Sequence, residues 1–138
     1  MARVAKKNIK TVTGKMALLF ANAALEKKAK DMAIVYVGDT SSVTDYFIVC
    51  TGTSDRHVVA LCDAIQLDAK KAGFLPIGVE GKDYGNWTLL DYGDVVIHIF
   101  LDSVRKFYEI ERLWMDVPKM LVPEDVYKIT KISLDNND

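Results

Sequence analysis

Two short apolar runs, Met32–Val37 and Tyr46–Thr51, are separated only by residues 38–45, and this spacing limits the fold more than any other feature of the chain. Parallel neighbours need a crossover of roughly a dozen residues or more, so runs this close pair antiparallel, as a hairpin or as adjacent strands. The segment Gly38-Asp39-Thr40-Ser41-Ser42 between them is turn chemistry. Gly52-Thr53-Ser54 then breaks the second run. Ser54 is placed to cap a helix reaching about Ala72, with Val58, Leu61, Cys62, Ile65 and Ala69 on one apolar stripe and Gly73 as its stop.

The remaining elements follow from the same signals. Thr11 or Thr13 caps a helix over about 14–30, rich in strong helix formers and closing in lysines that suit the C-terminal dipole. Pro76–Glu80, Trp87–Leu90 and Val95–Leu101 read as strands, the last the most strand-like stretch present. A final helix is expected over Ser103–Trp114, opened by Asp102 or Ser103 and ended at Val117-Pro118. The order α-β-β-α-β-β-β-α predicts one α/β domain: a mixed sheet of about five strands flanked by helices. That domain is expected over 14–118, between a basic N-terminal arm, 1–13, and a C-terminal extension, 119–138.

With 138 residues, half of them apolar and 27% charged, the chain has material for one domain with a real core. No apolar run approaches the roughly 18–20 residues that cross a bilayer, which excludes a membrane-spanning helix. The start MARVAKKNIK lacks the apolar stretch of a secretory signal, and a cytoplasmic protein is expected. Cys50 and Cys62 have no metal-binding spacing and read as reduced core residues. Charge is uneven. Residues 1–30 hold 8 bases and 1 acid, a net +7, whereas 31–138 hold 10 bases and 18 acids, a net −8. Such a basic segment can contact a polyanion such as RNA, or simply be a solvated tail and helix face.

Chemistry has little to work with. The turn Thr51-Gly52-Thr53-Ser54-Asp55-Arg56-His57 could offer backbone N–H groups to an anion, but it lacks a P-loop lysine or spaced glycines, and Asp55 would repel a phosphate; a plain capped helix start explains it better. Glu80, Asp91 and Asp94 with His98 could hold a divalent metal. Alternation instead puts His98 with Val96 and Phe100 on an apolar face, where a hydrogen-bonded core histidine is the commoner outcome. There is no HExxH, no GxSxG and no exposed thiol. A binding protein therefore outranks an enzyme. In Trp87-Thr88-Leu89-Leu90-Asp91, alternation sends Trp87, Leu89 and Asp91 to one face and Thr88 and Leu90 to the other. Both faces must then be covered, by helices or by a partner, for which Trp87 is a typical anchor.

Five blocks in order carry a family resemblance: Ser41-Ser42-Val43-Thr44-Asp45-Tyr46-Phe47, the Thr51–His57 turn, Gly78-Val79-Glu80-Gly81, the run from Trp87 to His98, and Arg105–Trp114. Over roughly residues 14–118 the chain closely resembles the ribosomal silencing factors, RsfS, also called Iojap. The resemblance implies a nucleotidyltransferase-like fold without the superfamily's paired catalytic aspartates, which have no counterpart after the Gly52-Thr53-Ser54 turn. It also implies a non-enzymatic translation repressor, without cofactor or metal, that forms a homodimer. Such a protein binds the large ribosomal subunit through large-subunit ribosomal protein fourteen and sterically blocks joining with the small subunit. Its partner surface would fall on Trp87, Thr88, Leu89, Leu90 and Asp91, with Arg105 and Tyr108 as neighbours. Lys6, Lys7 and Lys10 of the arm are candidates for a peripheral contact with ribosomal RNA. Tyr36 stands where the family usually has an acidic residue. The alternative is a metal-dependent nucleotidyltransferase-like enzyme using Asp91, Asp94 and His98.

Overall fold

The structure, a computed structural model, describes residues 12–38, 44–109 and 120–121. The first described helix, α1, runs Val12–Glu26. It ends before the three lysines because Lys28 takes a left-handed conformation, φ 65°. The Lys28 and Ala29 N–H groups then turn back onto the Leu25 and Ala24 carbonyls, at 3.0 and 3.1 Å, a closing motif that satisfies two orphan carbonyls. The predicted helix to residue 30 is therefore shortened, and Lys30 already belongs to the first strand.

Strand β1 (Lys30–Tyr36) and strand β2 (Tyr46–Gly52) pair antiparallel, as their spacing requires, with an irregularity between Lys30 and Ala33. Asp31 lies at this irregularity with φ 50°. Helix α2 (Asp55–Lys71) starts at Ser54, whose hydroxyl accepts the His57 N–H, and its buried stripe is Val58, Leu61, Cys62, Ile65 and Ala69, as predicted. After Gly73 (φ 93°) the chain forms β3 (Gly78–Glu80), β4 (Trp87–Asp91) and β5 (Val95–Leu101). The β4–β5 turn is tied by the Asp91 carboxylate, which accepts the Gly93 N–H at 2.8 Å. That is a standard reason for Asp to occupy a turn.

The third described helix, α3, spans Asp102–Tyr108. Its cap position is Leu101, with no side-chain bond, so neither Asp102 nor Ser103 caps it; Asp102 instead sits in the first turn and pairs with Lys106 at 3.0 Å. Glu109 adopts a left-handed conformation (φ 49°), which breaks the helical ladder and ends α3 well before Trp114. Residues 110–114, the predicted stop at Val117-Pro118, the basic arm and most of the 38–45 turn lie outside the described residues. A two-residue strand, β6 (Met120–Leu121), pairs with β1 and takes the sheet past the expected 118 boundary.

The sheet is mixed, in the order β3-β4-β5-β2-β1-β6. All neighbours are antiparallel except β2 and β5, which run parallel at the centre. Helices α1 and α2 cover one face, burying Phe20, Ile34, Ile48, Leu61, Ile65, Leu90, Ile97 and Ile99 in the main core. Cys50 and Cys62 are free and buried there, where burial pushes their thiols up to about 12 and about 11. The opposite face carries a smaller cluster, Val35, Val37, Val49 and Phe100, with Phe47 and Val104 packed against it. Among the described residues only the short α3 lies on that side, and no helix is long and apolar enough to cross a membrane.

Candidate functional site

Strand alternation in β4 and β5 creates the site. Trp87, Leu89 and Asp91 are exposed or half-buried, whereas Thr88 and Leu90 are fully buried beneath the helices. Thr88 and Leu90 anchor the strand whose other face is presented. Register places Trp87 opposite Phe100 and Leu89 opposite His98. Trp87 is diagonal to His98 and close enough for a large ring to reach it.

Around Trp87 an aromatic group assembles on the sheet face. Its ring lies 4.8 Å from Phe100, 6.0 Å from His98 and 6.5 Å from Tyr108. Phe47 from β2 meets His98 edge-on at 5.7 Å, and His98 stacks over Phe100 at 6.0 Å and 10°. The Trp87 indole donates to His98 Nδ1 at 3.1 Å. Burial lowers the His98 pKa from 6.5 to about 4, so the ring is uncharged at neutral pH with its Nδ1 lone pair available. The sequence offers His98 as a hydrogen-bonded core histidine; the hydrogen bond is there, but the ring is half-buried on the sheet face and outside both core clusters. The partner was the hidden part, because the bond joins two strands through a register that only pairing defines.

Trp87 remains 41% exposed, with Tyr108 at 60% and Phe107 at 79% beside it. Phe107 and Tyr108 are in edge contact at 5.0 Å. Phe47, Phe100 and Phe107 did not stand out as site residues in the sequence, since an alternating strand or a short helix hides which aromatic rings converge. The loop before Trp87 is shaped by Gly81, at φ 79°, where a Cβ would run into the Trp87 carbonyl; only glycine fits. Lys82 ties the same loop to Asp63 of α2 at 2.6 Å.

Arg105 is not a surface residue. It is 6% exposed, and its guanidinium donates to the Asp31 carbonyl at 2.6 Å and to Thr51 Oγ1 at 2.8 Å, fastening α3 to the ends of β1 and β2. The Thr51–His57 turn is likewise occupied by its own side chains. Ser54 Oγ takes the His57 N–H, and His57 Nδ1 takes the Thr53 N–H at 2.9 Å. With Nδ1 accepting, His57 Nε2 donates to the Lys27 carbonyl at 2.7 Å, tying the end of α1 to the start of α2. The capped helix start therefore accounts for this motif.

The acidic set is dispersed. Asp91 serves the hairpin turn, His98 serves Trp87, Asp94 is exposed at the turn, and Glu80 is exposed on β3. Among the described residues no group of three or more His, Cys, Asp or Glu is placed to hold a metal ion.

Comparison with known proteins agrees with this architecture. Residues 10–137 match the family described as ribosomal silencing factor during starvation. A ribosomal silencing factor RsfS of Haemophilus influenzae is 41% identical over 87 residues, covering 63% of this chain and 85% of that one. The mouse mitochondrial assembly of ribosomal large subunit protein 1 is 34% identical over 94 residues, covering 64% of this chain but 40% of that longer protein. A crystal structure of a Chromobacterium violaceum protein superimposes with a TM-score of 0.70 at 39% identity, covering 72% of this chain and 83% of that one. Matched over nearly its whole length, the chain belongs to the ribosomal silencing factor family.

Proposed function

We propose that this protein is a translation repressor that docks on the large ribosomal subunit through large-subunit ribosomal protein fourteen and denies the small subunit its joining surface. The supporting observation is the half-exposed Trp87, set among Phe100, His98 and Tyr108 on the sheet face that α1 and α2 leave uncovered. A tryptophan of about 250 Å² that is 41% exposed leaves roughly 100 Å² to bury, worth about 2–3 kcal/mol on docking. Steric occlusion needs no chemistry, only a rigid body in the right place. Leu89, Asp91 and Tyr108 flank the anchor, while Thr88, Leu90 and Arg105 hold the face in shape. Homodimer formation, a cytoplasmic location and a peripheral RNA contact by Lys6, Lys7 and Lys10 belong to the same reading, the last supported by the net charge of +7 over residues 1–30.

Sedimentation with purified subunits tests it. The native chain is expected to travel with the large subunit and suppress joining, and Trp87→Ala is expected to bind at least tenfold more weakly and fail to suppress it. Joining suppressed equally by both refutes the docking face. Gel filtration of Trp87→Ala separates a further possibility: a dimer that dissolves would assign the face to a second copy of the chain. For the arm, removal of residues 1–12 with unchanged large-subunit affinity at low salt rejects the RNA contact.

A further inference from the structure

Burying an indole against a partner costs free energy if its N–H is left without an acceptor. In Trp87 that donor is already spent inside the protein, on His98 Nδ1 at 3.1 Å. His98 in turn has little freedom: Phe47 meets it edge-on and Phe100 stacks beneath it, and both β4 and β5 hydrogen-bond through the register that sets Leu89 opposite it. Trp87 by contrast opens a strand, follows a glycine-shaped loop and is 41% exposed.

We propose that His98 is a positioning residue of the docking face: by accepting the indole N–H it fixes the Trp87 ring and leaves carbon as what the ring presents, so the partner patch that Trp87 meets is apolar and supplies no acceptor. The inference rests on the reading of Trp87 as the docking anchor and adds how the anchor is aimed and what it is aimed at. Two consequences follow from the chemistry. An acceptor in place of Nδ1 preserves the device, whereas a ring of similar shape without an acceptor abolishes it. Burial supports the arrangement by drawing the His98 pKa down to about 4, so the accepting lone pair persists at neutral pH.

The experiment uses full-length protein carrying Trp114→Phe, so that Trp87 is the sole tryptophan of the two in the chain. His98→Phe and His98→Asn are compared for the exchange rate of the Trp87 indole proton by NMR, for fluorescence anisotropy, and for large-subunit affinity. The expected result in His98→Phe is at least tenfold faster indole exchange, lower anisotropy and about tenfold weaker binding, with His98→Asn recovering to within about threefold of the parent. In a Trp87→Phe background, which has no indole donor, His98→Phe is expected to change affinity by less than twofold. Unchanged exchange and affinity in a folded His98→Phe protein overturn the proposal. So does an equal loss of affinity in the Trp87→Phe background, which would mean that His98 acts by shape alone. If exchange responds as expected but Trp87→Ala binds the subunit normally, the bond still orders the ring while the docking reading itself fails.

Discussion

Burial draws His98 from 6.5 down to about 4, which makes its protonation a stability term as well as a feature of the docking face. The unfolded chain binds the proton more readily between those values, so stability is complete above about 6.5 and falls as the pH drops towards 4. The gap corresponds to about 3 kcal/mol at its limit. Urea unfolding of the parent and His98→Phe between pH 7 and 4.5 is expected to show the parent losing stability relative to the variant as pH falls; a constant difference contradicts the assignment. Arg105 illustrates a second residue-level point. In the sequence it lies among candidate contact residues, yet its buried guanidinium serves the Asp31 carbonyl and Thr51. Its removal leaves buried acceptors without a charged donor, so Arg105→Ala is expected to cost about 2–4 kcal/mol in thermal or urea unfolding. Weakened docking with unaltered stability would return Arg105 to the surface role.

At the level of elements, boundaries turned on single left-handed residues. Lys28 ends α1 and Glu109 ends α3, both at positive φ and both without the glycine that usually marks such a stop. Composition favoured continuing both helices, and nothing local in a lysine or a glutamate announces a reversal. A side chain in that conformation carries a cost of about 1 kcal/mol that glycine avoids. Lys28→Gly is therefore expected to raise stability by about 0.5–1 kcal/mol, read as a higher urea midpoint at unchanged slope. Lower stability would show that the Lys28 side chain makes a contact outweighing the strain. The α2 boundaries were legible because Ser54 and Gly73 act through their own chemistry, a hydroxyl acceptor and a free φ. The β1–β2 pairing was legible for a different reason: chain length alone forbids the parallel alternative.

For the molecule as a whole, the decisive feature is that the described residues cover the two sheet faces unequally. Helices α1 and α2 seal one side, where Leu90 is fully buried, and leave Trp87 half-exposed on the other. Adjacent residues of one strand thereby acquire opposite duties. Leu90→Ala is expected to destabilise the fold by about 2–5 kcal/mol through the cavity it leaves. Trp87→Ala, which gives up much of the roughly 150 Å² of ring already buried in the fold, is expected to cost about 2–4 kcal/mol in unfolding and, unlike Leu90→Ala, to weaken subunit binding in the protein that remains folded. A folded Trp87 variant that binds the subunit as the parent does would make the tryptophan a purely structural residue.

By itself the sequence determined the α/β class, the order of elements as far as α3, the antiparallel first pair, the capped second helix and the two-faced character of Trp87–Asp91. Each of these depends on local chemistry or on the period of two along a strand, which need no knowledge of distant contacts. Tertiary structure alone decided that β5 runs beside and parallel to β2, and that the acidic residues are dispersed while Phe47, Trp87, His98, Phe100 and Tyr108 converge. Which rings meet is set by strand order and register, and these arise from the packing of the whole sheet against the helices on its faces, a sum over contacts that no single stretch of chain contains.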